Sequence, residues 1–143
     1  MYKRMLLAYD GSREGRVALK QGAELAQMAQ GEVCLLAVLK FPAGMSMAMG
    51  VIPEGFLSDE QKHVDEVLAE GAQHLRERGI SVQPRSVYGE PIEKIIEAAK
   101  QFHADLIVLG HRPRSAMARW WQGSVSMSLL DHVPCSLLIA MGE

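Results

Sequence analysis

The sequence predicts an α/β fold, a doubly wound parallel sheet covered by helices on both faces. Three observations carry this. Apolar runs of strand length alternate with helical patterns along the 143 residues. No composition break, internal repeat or low-complexity tract interrupts them, so one domain spanning 1–143 is expected. The run Leu106-Ile107-Val108-Leu109 ends in Gly110, and Gly123-Ser124 opens a helix further on. That arrangement suits a ligand at the strand ends, where such sheets bind.

Each element has its own signal. Residues 3–9 are an apolar run. Residues 12–29 read as a helix, with Ser12 able to cap its start, Val17, Leu25, Ala26 and Met28 on an apolar side, and Gly31 able to stop it. Residues 32–39 form a second strand run. Residues 40–57, with Pro42, Gly44, Gly50, Pro53 and Gly55, read as irregular. Ser58 and Gln61 have capping-box spacing. Val64, Val67, Leu68, Ala72 and Leu75 follow at helical intervals, up to Gly79. Residues 80–87 alternate partially, as an edge strand does. Pro91 suits the first turn of a helix carrying Ile92, Ile95, Ile96 and Ala99. After the fourth strand, 124–132 read as a short helix that Pro134 prevents from continuing. Residues 136–141 are the fifth strand run.

Composition excludes several classes. Hydrophobic residues are 48% and charged residues 22%, an ordinary globular balance. A net charge of −2 argues against a general nucleic-acid or membrane-surface binder. No apolar run is long enough to span a bilayer, and the one near Met5 is too short for a signal-peptide core. A cytoplasmic protein is expected. Cys34 and Cys135 lie in apolar runs and read as buried thiols. The five histidines show no metal-ligand spacing.

The chemistry concentrates on one rim. Gly110 gives clearance, and the Ser124 and Val125 amides with the Ser124 hydroxyl offer donors to a phosphate. The bland alternative is an ordinary strand-loop-helix connection with Ser124 as N-cap. The loop 111–123 holds His111, Arg112, Arg114 and Arg119 and no acid, so it either attracts phosphate or is a solvated basic loop. Asp10 either bonds a ribose hydroxyl, or helps hold Mg²⁺ with a nucleotide, or starts a turn with Gly11. Trp120-Trp121 either stack on a base or pack beneath the loop. Met45, Met47 and Met49 form either an adaptable lid or a plain loop. No GxSxG elbow, Walker loop or GxGxxG motif points to catalysis.

Five segments resemble the universal stress protein family across nearly the whole chain. They are residues 5–12 (MLLAYDGS), 89–91 (GEP), 104–110 (ADLIVLG), 123–126 (GSVS) and 132–139 (HVPCSLLI). The resemblance implies a five-stranded parallel sheet of order 3-2-1-4-5, with Asp10 and Gly110 flanking one crevice. It also places two strands between Cys34 and Cys135, roughly 14 Å and too far for a disulfide.

The resemblance further implies an adenine nucleotide, ATP or ADP, with or without Mg²⁺. Asp10 would then lie near the ribose, Val38 near the adenine, and Gly110, Arg112, Gly123, Ser124 and Val125 around the phosphates. One motif position departs, because Pro113 stands where ATP-binding members have a second glycine. Proline has no N–H and cannot take positive φ. The implied role is sensor or regulator in a stress response. The alternatives are a member that binds no nucleotide and acts through protein contacts, and a slow ATPase. A homodimer through strand 136–141 is expected. An apolar edge strand is hazardous when open, and pairing with a second copy about a two-fold axis protects it.

Overall fold

The structure, a computed structural model, describes residues 1–39, 56–110 and 131–141. The elements are β1 (Arg4–Ala8), α1 (Arg13–Ala29), β2 (Glu32–Leu39), α2 (Phe56–Glu77), β3 (Val82–Tyr88), α3 (Pro91–Phe102), β4 (Leu106–Gly110) and β5 (Ser136–Ala140). The five strands form one sheet of order β3-β2-β1-β4-β5, every neighbouring pair parallel.

Two apolar layers follow from the two-residue alternation of strand side chains. Met5 and Leu7 of β1, Val33 and Leu35 of β2, and Val108 of β4 face α1 and α2, where Ala18, Leu19, Ala72 and Leu75 meet them. Leu6, Cys34, Leu36, Ile107 and Leu109 face the other way, against Ile95, Ala98, Ala99 and Phe102 of α3. The chain steps from β1 to β2 to β3 in one direction, so α1 and α2 share a face. It then returns past β1 to β4, which puts α3 on the opposite face under right-handed crossovers. The central strands β1, β2 and β4 are buried on both sides and read as continuous apolar runs for that reason.

The helix ends show which local signals hold. Ser12 caps α1, its hydroxyl accepting from the Gly15 amide at 3.0 Å. Glu90 caps α3, with its carboxylate accepting from the Ile92 and Glu93 amides, and Pro91 follows in the first turn. Gly79 ends α2 at φ +77°, a left-handed conformation that glycine takes without strain.

Three local expectations are corrected. α2 already includes Phe56, so Ser58 lies inside the helix and not at the N-cap position that a capping box with Gln61 requires. Gln61 instead donates to Asp65 at 2.8 Å and to Ser86 of β3 at 2.9 Å. The left-handed residue that ends α1 is Gln30, at φ 54°, and not Gly31. Gly31 is small because a Cβ there would lie 2.7 Å from the Tyr2 carbonyl oxygen. Finally, the third strand starts at Val82, two residues later than the pattern suggested.

Cys34 and Cys135 are free thiols, as expected, and burial pushes both above the usual thiol value. Asp105, just ahead of β4, ties that strand to β1. Its carboxylate accepts from the Lys3 amide at 2.8 Å and the Arg4 amide at 3.2 Å, and its own amide donates to the Arg4 carbonyl.

The two sheet edges differ. β3 exposes Gln83, Pro84 and Arg85, and a proline with a charge blunts an edge. β5 carries Ser136, Leu137, Leu138, Ile139 and Ala140, with neither proline nor charge.

Candidate functional site

The rim forms where β1 and β4 part. β1 stays paired with β2 through Ala8↔Leu36, and the Tyr9 amide extends that ladder to the Leu36 carbonyl at 2.8 Å. Its pairing with β4 ends one residue earlier, at Leu7↔Val108. β4 then continues with β5 alone, through Gly110↔Ala140. This is the reversal point of the strand order, where a crevice opens in sheets of this kind.

Asp10-Gly11-Ser12 turns the chain from β1 into α1. Gly11 has φ +80°, and a Cβ on it would touch Val67 of α2 at 3.0 Å. The Ser12 amide donates to Asp10 Oδ1 at 2.9 Å, an Asx turn that orients an exposed carboxylate. The turn reading of Asp10-Gly11 is therefore realised.

The first turn of α1 lies against the end of β4. A Cβ on Gly110 would collide with the Glu14 carbonyl oxygen and lie 2.8 Å from its carbon and 3.3 Å from the Gly15 nitrogen. Helix packing thus accounts for the missing side chain at Gly110. The backbone of this residue forms the β4 side of the rim.

Tyr9 closes the floor beside this turn. It is buried, and a Cβ on Gly71 of α2 would approach its ring to 2.9 Å. Burial, and then the Glu70 carboxylate, push its phenol above the ordinary value, so it stays a neutral hydroxyl at neutral pH. Arg16 and Glu70 pair at 3.3 Å across the α1–α2 seam. Both side chains are 61% exposed, so solvent screens the pair and it contributes little. An open basic depression of about 550 Å³, lined by Arg13, Arg16, Val17 and Lys20, lies along the outer side of α1.

The structure brings Asp10 and Gly110 together around α1. Val38 lies on β2, one strand from β1, half-buried against the layer under α3 and paired with Val87. Arg112, Gly123, Ser124 and Val125 lie outside the described residues, as do Pro113, His111, Arg114, Arg119, Trp120, Trp121 and the three methionines of 40–55. The expected helix 124–132 is described only at Asp131 and His132, both helical. Among the described residues no group of three or more His, Cys, Asp or Glu gathers to hold a metal. Sequence reasoning missed Tyr9 and Gly15. The available signal at Gly15 was a glycine inside the first turn of an otherwise well-formed helix.

The parallel sheet and its strand order define a doubly wound α/β protein. The universal stress protein family model matches residues 1–140, and the chain belongs to that family. Universal stress protein YxiE of Bacillus subtilis strain 168 is 29% identical over 146 residues, covering 97% of this chain and 99% of its own. Universal stress protein UspA from Lactobacillus plantarum has a TM-score of 0.78 at 25% identity, covering 97% of each chain. A universal stress protein solved in complex with cAMP has a TM-score of 0.71 at 21% identity, covering 96% of each chain, a likeness of fold.

Gly110→Ala should destabilise the protein by roughly 1–3 kcal/mol, because the opposing atoms are helix backbone and cannot rotate away. Denaturant unfolding measures this. A variant as stable as wild type would mean that α1 does not press on β4.

Proposed function

We propose that this chain binds an adenine nucleotide, ATP or ADP, between the ends of β1 and β4 and acts as a sensor or regulator in a stress response. The observation that carries the reading is the parting of β1 from β4 with the oriented carboxylate of Asp10 on its rim. An anchored, exposed carboxylate suits a ribose hydroxyl. Val38, near the end of β2, would border the adenine. Arg112, Gly123, Ser124 and Val125 would hold the phosphates beside the Gly110 backbone, and Mg²⁺ would enter with those phosphates. The cAMP bound by a neighbour of the same fold supports an adenine nucleotide as the ligand class. Among the described residues no helix is long and apolar enough to cross a membrane. The proposed sensor is a one-domain cytoplasmic protein.

Pro113 favours a second reading, a member that binds no nucleotide and works through protein contacts. Titration calorimetry with Mg-ATP separates the two. Wild type should give measurable heat, and Pro113→Gly should bind more tightly, since it restores an N–H and conformational freedom. No heat from either protein at high nucleotide would sink the nucleotide reading.

The partner we propose is a second copy, paired antiparallel through β5. The contrast between a blunted β3 and an apolar β5 supports it. Sedimentation should give twice the chain mass, and exchange of outward-pointing β5 amides should slow as concentration rises. A monomer at every concentration would refute this interface.

A further inference from the structure

We infer that Gly15 is a positioning residue for Asp10, kept without a side chain so that the carboxylate can rest against the first turn of α1. Its consequence for ligand binding depends on the nucleotide reading above. A Cβ on residue 15 would lie 2.7 Å from Asp10 Oδ1. The next atoms are Ser12 Oγ at 3.2 Å and the Tyr9 ring at 3.5 Å. Only the first contact is prohibitive. Tyr9 is buried between α1 and α2 and holds its place, whereas Asp10 is exposed and can turn about its side-chain bonds.

Conformation does not explain this glycine. Its φ lies outside the left-handed region that Gly11 occupies. Alanine is the better residue within a helix, so glycine here carries a cost to the helix. What it permits is one carboxylate position, with Oδ1 against the helix and held by the Ser12 amide at 2.9 Å. A methyl group at residue 15 displaces Oδ1 and breaks that hydrogen bond while the fold persists. Gly110 differs, because its obstacle is backbone.

The test compares wild type, Gly15→Ala, Asp10→Ala and the double variant. Without ligand, the Ser12 amide of wild type should be protected from hydrogen exchange by its bond to Asp10, and Asp10→Ala should remove that protection. Gly15→Ala should lose the same protection and melt at or above the wild-type temperature. A Gly15→Ala protein that keeps the Ser12 amide protected, or that melts well below wild type, overturns the assignment. With Mg-ATP, Gly15→Ala should bind roughly tenfold more weakly, the worth of one charge-assisted hydrogen bond. In the Asp10→Ala background the same change should have no further effect. Additive losses overturn the proposal. Absence of nucleotide binding by wild type would defeat the nucleotide reading, and the unliganded exchange measurement would still decide the role of Gly15.

Discussion

The first turn of α1 is wedged between the ends of β1 and β4, and the rim depends on that fit. Glu14 presses its carbonyl on Gly110, and Gly15 lies within reach of both Gly110 and Asp10. Gly11 supplies the left-handed turn that lets the helix start so close to the strand. Interiors pack too densely to absorb an extra methyl group here without something moving. Three glycines on two strand ends and one helix therefore fix where the Asp10 carboxylate stands. Ser12 completes the arrangement twice, its hydroxyl capping the helix and its amide holding Asp10.

The sheet supplies a rigid base for that rim. β1 lies at its centre, buried on both faces, with Asp105 fastening its start to β4. Apolar layers on each side immobilise the strand whose end carries Asp10. Parallel strands direct every strand-to-helix turn to the same edge of the sheet, so helix starts and strand ends converge there. The same topology leaves β3 and β5 as outer strands, the first blunted by proline and charge and the second apolar.

Much of this was legible in the residues, and each success has a local cause. Ser12 and Pro91 mark helix starts through hydrogen bonding and fixed φ, effects that need no tertiary partner. Continuous apolar runs marked the central strands because burial on both faces removes alternation. The misses were matters of tertiary contact. Gly31 looked like a helix stop, but it is small because Tyr2 crosses it. The Ser58–Gln61 spacing looked like a cap, but the helix already includes Phe56 and Gln61 reaches across to β3. Gly110 has a second reason to lack a side chain that its strand-end position did not reveal, the Glu14 backbone of α1. Of the candidate site, Asp10 and Gly110 were legible as neighbours only through the family resemblance. Gly15 was not legible as a positioning residue, because a helix glycine gives no sign of which side chain it makes room for.

An adenine nucleotide that enters where β1 and β4 part, as proposed, must perturb the amides of that rim. Mapping amide chemical-shift changes during a Mg-ADP titration tests this most directly. Among the described residues, the largest changes should fall on Asp10, Gly11, Ser12, Val38 and Gly110. Changes centred instead on the Arg16–Lys20 side of α1 or along β3, with Asp10 and Gly110 unmoved, would contradict it.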